Sequence, residues 1–172
     1  KAGVADGVLD VDPDVFFASV TTPVSPPVVF TFTSDPQIRY DRVTGRWILL
    51  IIDVPCTNAT CSATLANRVM IAVSDAASNG TISASTVWTF FYFVGSAGSD
   101  FLDYPALGID VNALYIGGNM FSSAGSFVGT NGYVVQKSSI LGAGPIVTTA
   151  FANLAAGTGA GPYTPRGVDN FD

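Results

Sequence analysis

The sequence predicts an all-β fold built from four-stranded antiparallel units, and three observations carry that expectation. Residue usage comes first: Val, Thr, Phe, Tyr and Ile abound, every acidic residue is Asp, and there is neither Glu nor His. Strand formers are thus plentiful and strong helix formers scarce. Second, short runs alternate apolar and polar positions, as in Phe30-Thr31-Phe32-Thr33, which places both rings on one face of a strand. Third, turns rich in Gly, Pro, Asn, Asp and Ser separate these runs at the spacing of sandwiches, barrels and propellers.

About ten strands are expected in chain order. Residues 15–20 (VFFASV) lead into a Pro-rich bend, followed by 28–34 (VVFTFTS), the short run QIRYD, a turn at RVTG, and 46–53 (RWILLIID). Runs 68–74 and 86–94 complete the first group. In the latter, Trp88, Phe90 and Tyr92 share one face and Phe91 and Phe93 the other, so that strand is expected to be covered on both sides. The order then restarts with 100–110, 113–121, 132–140 and 145–153. The chain therefore reads as one all-β domain or fragment with units at 35–99 and 100–160, a partial unit at 1–34, and the start of another at 161–172.

Composition excludes several functions. The 172 residues suit a single domain, with 48% hydrophobic and only 12% charged residues, as in secreted β proteins. A net charge of −6 with seven Lys and Arg leaves no basic stripe for phosphates, so no nucleic-acid partner is expected. The lack of His removes Ser-His-Asp and Cys-His catalysis and His-liganded zinc. No apolar run of roughly 18 residues offers a membrane span. A start at Lys1 without a signal peptide suggests a mature or excised soluble piece.

Cys56 and Cys61, four residues apart, read as a small disulfide loop, because C-x4-C supplies two zinc ligands of four and no second pair exists. A disulfide in turn implies an oxidising, extracellular or cell-surface location. Asn58 (NAT) and Asn79 (NGT) match the glycosylation sequon in expected surface loops. Asp10, Asp12 and Asp14 alternate as calcium ligands do, but Val15 and Thr21 stand where an EF-hand loop needs Gly and Glu. That segment reads as a solvated turn, and no metal or cofactor is expected.

The motif Asp35, Pro36, Tyr40, Asp41, Gly45, Arg46 and Trp47, with the stretches 71–93 and 103–121, resembles a family of secreted bacterial β-propeller proteins. Their blades open on an Asp-Pro strand and a Tyr-Asp…Gly-Arg-Trp hairpin. The resemblance implies a β-propeller-like architecture of about two four-stranded blades with partial flanking strands, too few to close a ring. Copies are therefore expected to associate and cap the open blades. The fold itself leaves function open.

Asp35, Asp103 and Asp169 recur at blade starts and are candidates to converge near an axis. An Asp ahead of Pro also caps a turn, which is the structural reading of the same recurrence. Tyr104, Tyr133 and Tyr163 sit beside Gly, Pro or Asp in expected loops, where exposed rings stack on a sugar or anchor a protein. The expected role is a non-catalytic structural or binding module for a glycan or protein. The competing reading is a glycosidase or sialidase-like propeller using paired Asp carboxylates. A sialidase arginine triad is not recognisable among Arg39, Arg42, Arg46, Arg68 and Arg166.

Overall fold

The computed structural model describes residues 8–77, 79–154 and 163–170. The strands among them form two four-stranded antiparallel sheets. Sheet A contains β1 (Phe30–Asp41), β2 (Arg46–Cys56), β3 (Arg68–Ser74) and β4 (Trp88–Val94). Sheet B contains β5 (Phe101–Ile109), β6 (Ala113–Phe121), β7 (Phe127–Gln136) and β8 (Thr148–Phe151). Spatial order follows chain order in each, so both are meanders, and neither closes on itself.

The first hairpins of the two sheets turn on corresponding aspartates. Asp41 accepts the Val43 N–H at 3.1 Å and the Thr44 hydroxyl at 2.5 Å, and Gly45 takes the left-handed φ of 68° that the turn requires. Asp110 accepts the N–H groups of Asn112 and Ala113 at 2.7 and 2.8 Å in a shorter loop. Phe30 and Phe32 stack on one face with centroids 6.2 Å apart, as their alternation predicts.

Three expected elements come out differently. Residues 15–20 are not a strand: Asp12 caps a helical turn, α1 (Pro13–Phe16), by accepting the Asp14 N–H at 2.9 Å, and Pro13 suits its first position. The runs 28–34 and QIRYD are one strand, β1, joined through a bulge between Ser34 and Gln37. The end of the 132–140 run turns into α2 (Lys137–Ile140), which carries Lys137 and Ile140 into the interior.

Two apolar clusters hold the layers together. Between the sheets, Ile48, Leu50, Ile52, Val69, Ile71 and Phe91 meet Leu102, Leu107, Ile109, Leu114, Ile116 and Val135. Leu102 is fully buried, so its truncation to Ala costs about 2–5 kcal/mol. On the outer face of sheet A, Phe17 and Val20 pack against Ile51, Met70 and Ala72. The Phe16 ring meets Trp88 and Phe90 at 5.5 and 5.0 Å. The outer face of sheet A is thus covered in part: of its fourth strand, Trp88 and Phe90 lie under Phe16, while Tyr92 and Val94 stay exposed, contrary to the expectation of cover on both sides.

Polar clamps fix the sheets relative to each other. Asn67, fully buried, donates to the Asp53 and Leu102 carbonyls at 3.1 and 2.8 Å and accepts the Leu102 N–H at 2.8 Å. Lys137 pairs with buried Asp41 at 2.9 Å and donates to the Asp110 carbonyl at 2.7 Å. The first strands, β1 and β5, lie in contact. No helix among the described residues is long and apolar enough to cross a membrane.

Candidate functional site

Three proline-marked segments converge at one place in this fold. Asp35, Tyr104 and Thr164 each precede a proline and each adopts a left-handed φ, 55°, 52° and 52°. A residue before proline ordinarily prefers extended backbone, and few side chains other than Gly, Asn and Asp accept positive φ. The recurrence therefore marks one structural device used three times. In β1 and β5 it creates the bulges at 34/37 and 103/106.

The third segment, 163–170, lies across the outer face of sheet B. Asn119 accepts the Thr164 N–H at 2.7 Å and donates to its hydroxyl at 3.1 Å. Farther along, Asp169 accepts the Ile109 N–H at 3.1 Å, and the Asn170 N–H donates to the Ile109 carbonyl at 2.9 Å. This approach needs Gly108 and Gly117, since a Cβ on either would overlap the backbone of Gly167 or Pro165. Arg39 of β1 reaches Asp169 at 3.4 Å, joining the first segment to the third.

At this junction Asp35 and Asp103 bring their carboxyls within hydrogen-bonding reach. Burial, the neighbouring Asp35 charge and the shared hydrogen bond push the Asp103 carboxyl up, against the Tyr104 N–H, which pulls it down. Beside the pair, the Tyr104 ring is 47% exposed. Gln37, Arg39, Tyr104 and Arg166 contribute to the lining of a cavity of about 60 Å³ between the segments. Two guanidinium groups, an amide and an exposed tyrosine thus meet across β1, β5 and the crossing segment 163–170, with the Asp35–Asp103 pair next to Tyr104. A larger cleft of about 340 Å³ beneath the N-terminal segment is apolar, with Gln37 its one polar residue.

No family model, curated protein or solved structure matches this chain.

Of the residues singled out in the sequence, Asp35, Asp103 and Tyr104 stand together. Asp169 comes to the same junction, but there it binds the Ile109 backbone and Arg39. Tyr133 is not in a loop: it lies in β7, 4% exposed, with its hydroxyl donating to the Gly95 carbonyl and its ring 5.0 Å from Phe93. Desolvation holds that phenol above its usual range, with the Asn131 amide opposing. Tyr163 is 59% exposed and stacks on Phe127 at 4.6 Å. Gln37, Arg39 and Arg166 escaped the sequence reading. Aligning the three prolines would have found two of them, because Gln37 and Arg166 each directly follow one.

Cys56 and Cys61 form a disulfide at the end of β2, with Cα atoms 4.8 Å apart. Within that loop Asn58 is occupied structurally, accepting from Thr60 and Ser62 N–H groups at 3.1 and 3.2 Å. Asn79 is exposed in its turn. Asp12 caps α1, and Asp14 accepts the Thr33 N–H and hydroxyl at 2.6 and 2.7 Å. Among the described residues no group of three or more carboxylates or thiols is placed to hold a metal ion.

Proposed function

We propose that the chain is a non-catalytic module of β-propeller type, belonging to a secreted or cell-surface protein, that binds a glycan where its proline-marked segments converge. One observation carries the reading: the Asp35–Asp103 carboxyl pair adjoins Tyr104, whose backbone N–H bonds to Asp103 and which is itself exposed. Carboxyls and guanidinium groups supply acceptors and donors for sugar hydroxyls, and an aromatic face supplies apolar stacking on the ring carbons. The two meander sheets, packed with β1 against β5, agree with neighbouring blades of a propeller.

Binding of neutral and acidic polysaccharides, followed by NMR shifts of the Tyr104 and Arg166 resonances, tests this. Saturable shifts that Tyr104→Ala abolishes are the expected result. Absence of shifts with every polysaccharide class would remove the reading.

A hydrolase is the second reading, favoured by the raised Asp103 carboxyl. Carboxyls that flank a glycosidic bond stand roughly 5 Å or more apart, however, whereas Asp35 is near enough to hydrogen-bond with Asp103. Reducing ends released from a bound polysaccharide, and not released by Asp103→Asn, would reverse the order of the two readings.

A further inference from the structure

We infer that the glycan bound at this junction is an acidic one, whose carboxylate or sulfate group enters the small cavity between β1, β5 and segment 163–170. The inference rests on the glycan reading and adds the class of sugar. Its ground is a set of polar side chains that the fold itself does not use.

The chain has only seven Lys and Arg against 13 Asp, and most of the described cations are engaged within the protein. Arg46 donates to the Ser74 carbonyl at 3.0 Å, Arg68 to the Val20 and Thr21 carbonyls, and Lys137 pairs with Asp41. At the cavity the pattern differs. Among the described residues, the exposed Arg166 guanidinium makes no hydrogen bond or ion pair, and the Gln37 side-chain amide makes none either. Arg39 places Nη1 on the Ile38 carbonyl at 2.8 Å and Nε on Asp169 at 3.4 Å, which leaves Nη2 without a protein partner. All three side chains line the same cavity.

Charge and size select the ligand. Asp169 balances one of the two guanidinium charges and leaves the other. Asp35 and Asp103 are not among the lining residues, so no carboxyl among the described residues opposes an anion inside the cavity. A volume of about 60 Å³ admits one small group, about two waters' share of liquid volume, and not a sugar ring. Forked N–H donors suit the paired oxygens of a carboxylate or sulfate. A neutral sugar offers hydroxyls but no charge to the second guanidinium. The sugar ring stays outside the cavity, where exposed Tyr104, itself a lining residue, is available to it.

The test is calorimetric titration of the full chain, at one ionic strength, with oligogalacturonate, dextran sulfate and two neutral counterparts, galactan and dextran. The expected result is saturable binding of an acidic glycan about tenfold or more tighter than its neutral counterpart. Binding of oligogalacturonate alone identifies the carboxylate as the recognised group, and binding of dextran sulfate alone identifies the sulfate. Arg166→Gln is expected to weaken the acidic ligand about tenfold or more with the circular dichroism spectrum unchanged. Arg42→Gln, which removes an exposed guanidinium from the hairpin of sheet A, is expected to leave binding unchanged. Equal binding of neutral and acidic glycans would overturn the inference and leave the glycan reading standing, whereas binding of none would overturn both. Acidic binding indifferent to Arg166→Gln, or weakened as much by Arg42→Gln, would assign the attraction to diffuse charge and likewise overturn the inference.

Discussion

Asp35 and Tyr104 occupy the same place in the two sheets, each in left-handed backbone immediately before a proline that bulges the first strand. The interval between them also separates Asp41 from Asp110, the two hairpin aspartates. Asp tolerates this conformation through its short polar side chain, whereas Tyr pays more for it. Tyr104→Gly is therefore expected to hold or raise stability, by up to about 1 kcal/mol, because the half-exposed ring gives up little packing. Tyr104→Val, with a β-branched side chain at positive φ, is expected to cost about 1–2 kcal/mol. Urea denaturation of the pair of variants checks this, and equal stabilities would refute the shared device.

The same relationship shows what the sequence made legible. Two groups of four strands and the disulfide are readable because alternation, turn residues and cysteine spacing are local signals. Asp35 and Asp103 are conspicuous in the sequence as repeated aspartates, but the repeat is marked by proline, and the true counterpart of Asp103 is Ser34. Residues 15–20 carry a strand-like run that Asp12 and Pro13 redirect into a helical turn, a local cap overriding an apolar pattern. The contributions of Arg39 and Arg166 to the junction were not legible, since only the crossing of 163–170 over sheet B brings Arg166 to β1 and β5.

Lys137 and Asp41 form a buried ion pair between the end of β7 and the first hairpin of sheet A. Both groups are almost wholly withdrawn from water, so removing one partner strands the other's charge. Lys137→Met is expected to destabilise by about 3–5 kcal/mol, and adding Asp41→Asn to recover a substantial part of that loss. A double-mutant cycle by chemical denaturation measures it. If the double variant were no better than Lys137→Met alone, the pair would not be the cause.

Asp103 and Asp110 give opposite pH dependences. The folded Asp103 holds its proton more tightly than the unfolded chain does, so its contribution is complete below the ordinary carboxylate range and is lost as pH rises through its folded pKa. At Asp110, burial raises the carboxyl, but hydrogen bonds from Ala113, Tyr115 and Asn112 and the charge of Lys137 outweigh it. That contribution is instead lost as pH falls through the lowered folded pKa. Asp103→Asn is thus expected to gain stability relative to the parent chain at about pH 7 and to lose that advantage near about pH 4. Thermal unfolding across this range checks it, and a difference constant with pH would show that the fold does not raise the Asp103 carboxyl.

Arg68 joins the N-terminal segment to sheet A twice over, through the Val20 and Thr21 carbonyls and by lying 3.8 Å above the Tyr92 ring. Asp53 supports the same corner, accepting the Thr22 N–H at 2.5 Å and the Arg68 N–H at 2.7 Å. Arg68→Ala removes hydrogen bonds made by a charged group, each worth about 1.5–3 kcal/mol. The core between the sheets, with Leu50 of β2 and Ile71 of β3 fully buried against sheet B, keeps its apolar contacts. The expected result is therefore local. Residues 12–22 loosen while the two sheets remain folded, protease cleavage is confined to this segment, and Trp88 emission shifts to the red as Phe16 leaves its ring. Limited proteolysis with fluorescence checks this. Cleavage spread over both sheets, or a Trp88 signal unmoved by the substitution, would mean that Arg68 does not hold the segment in place.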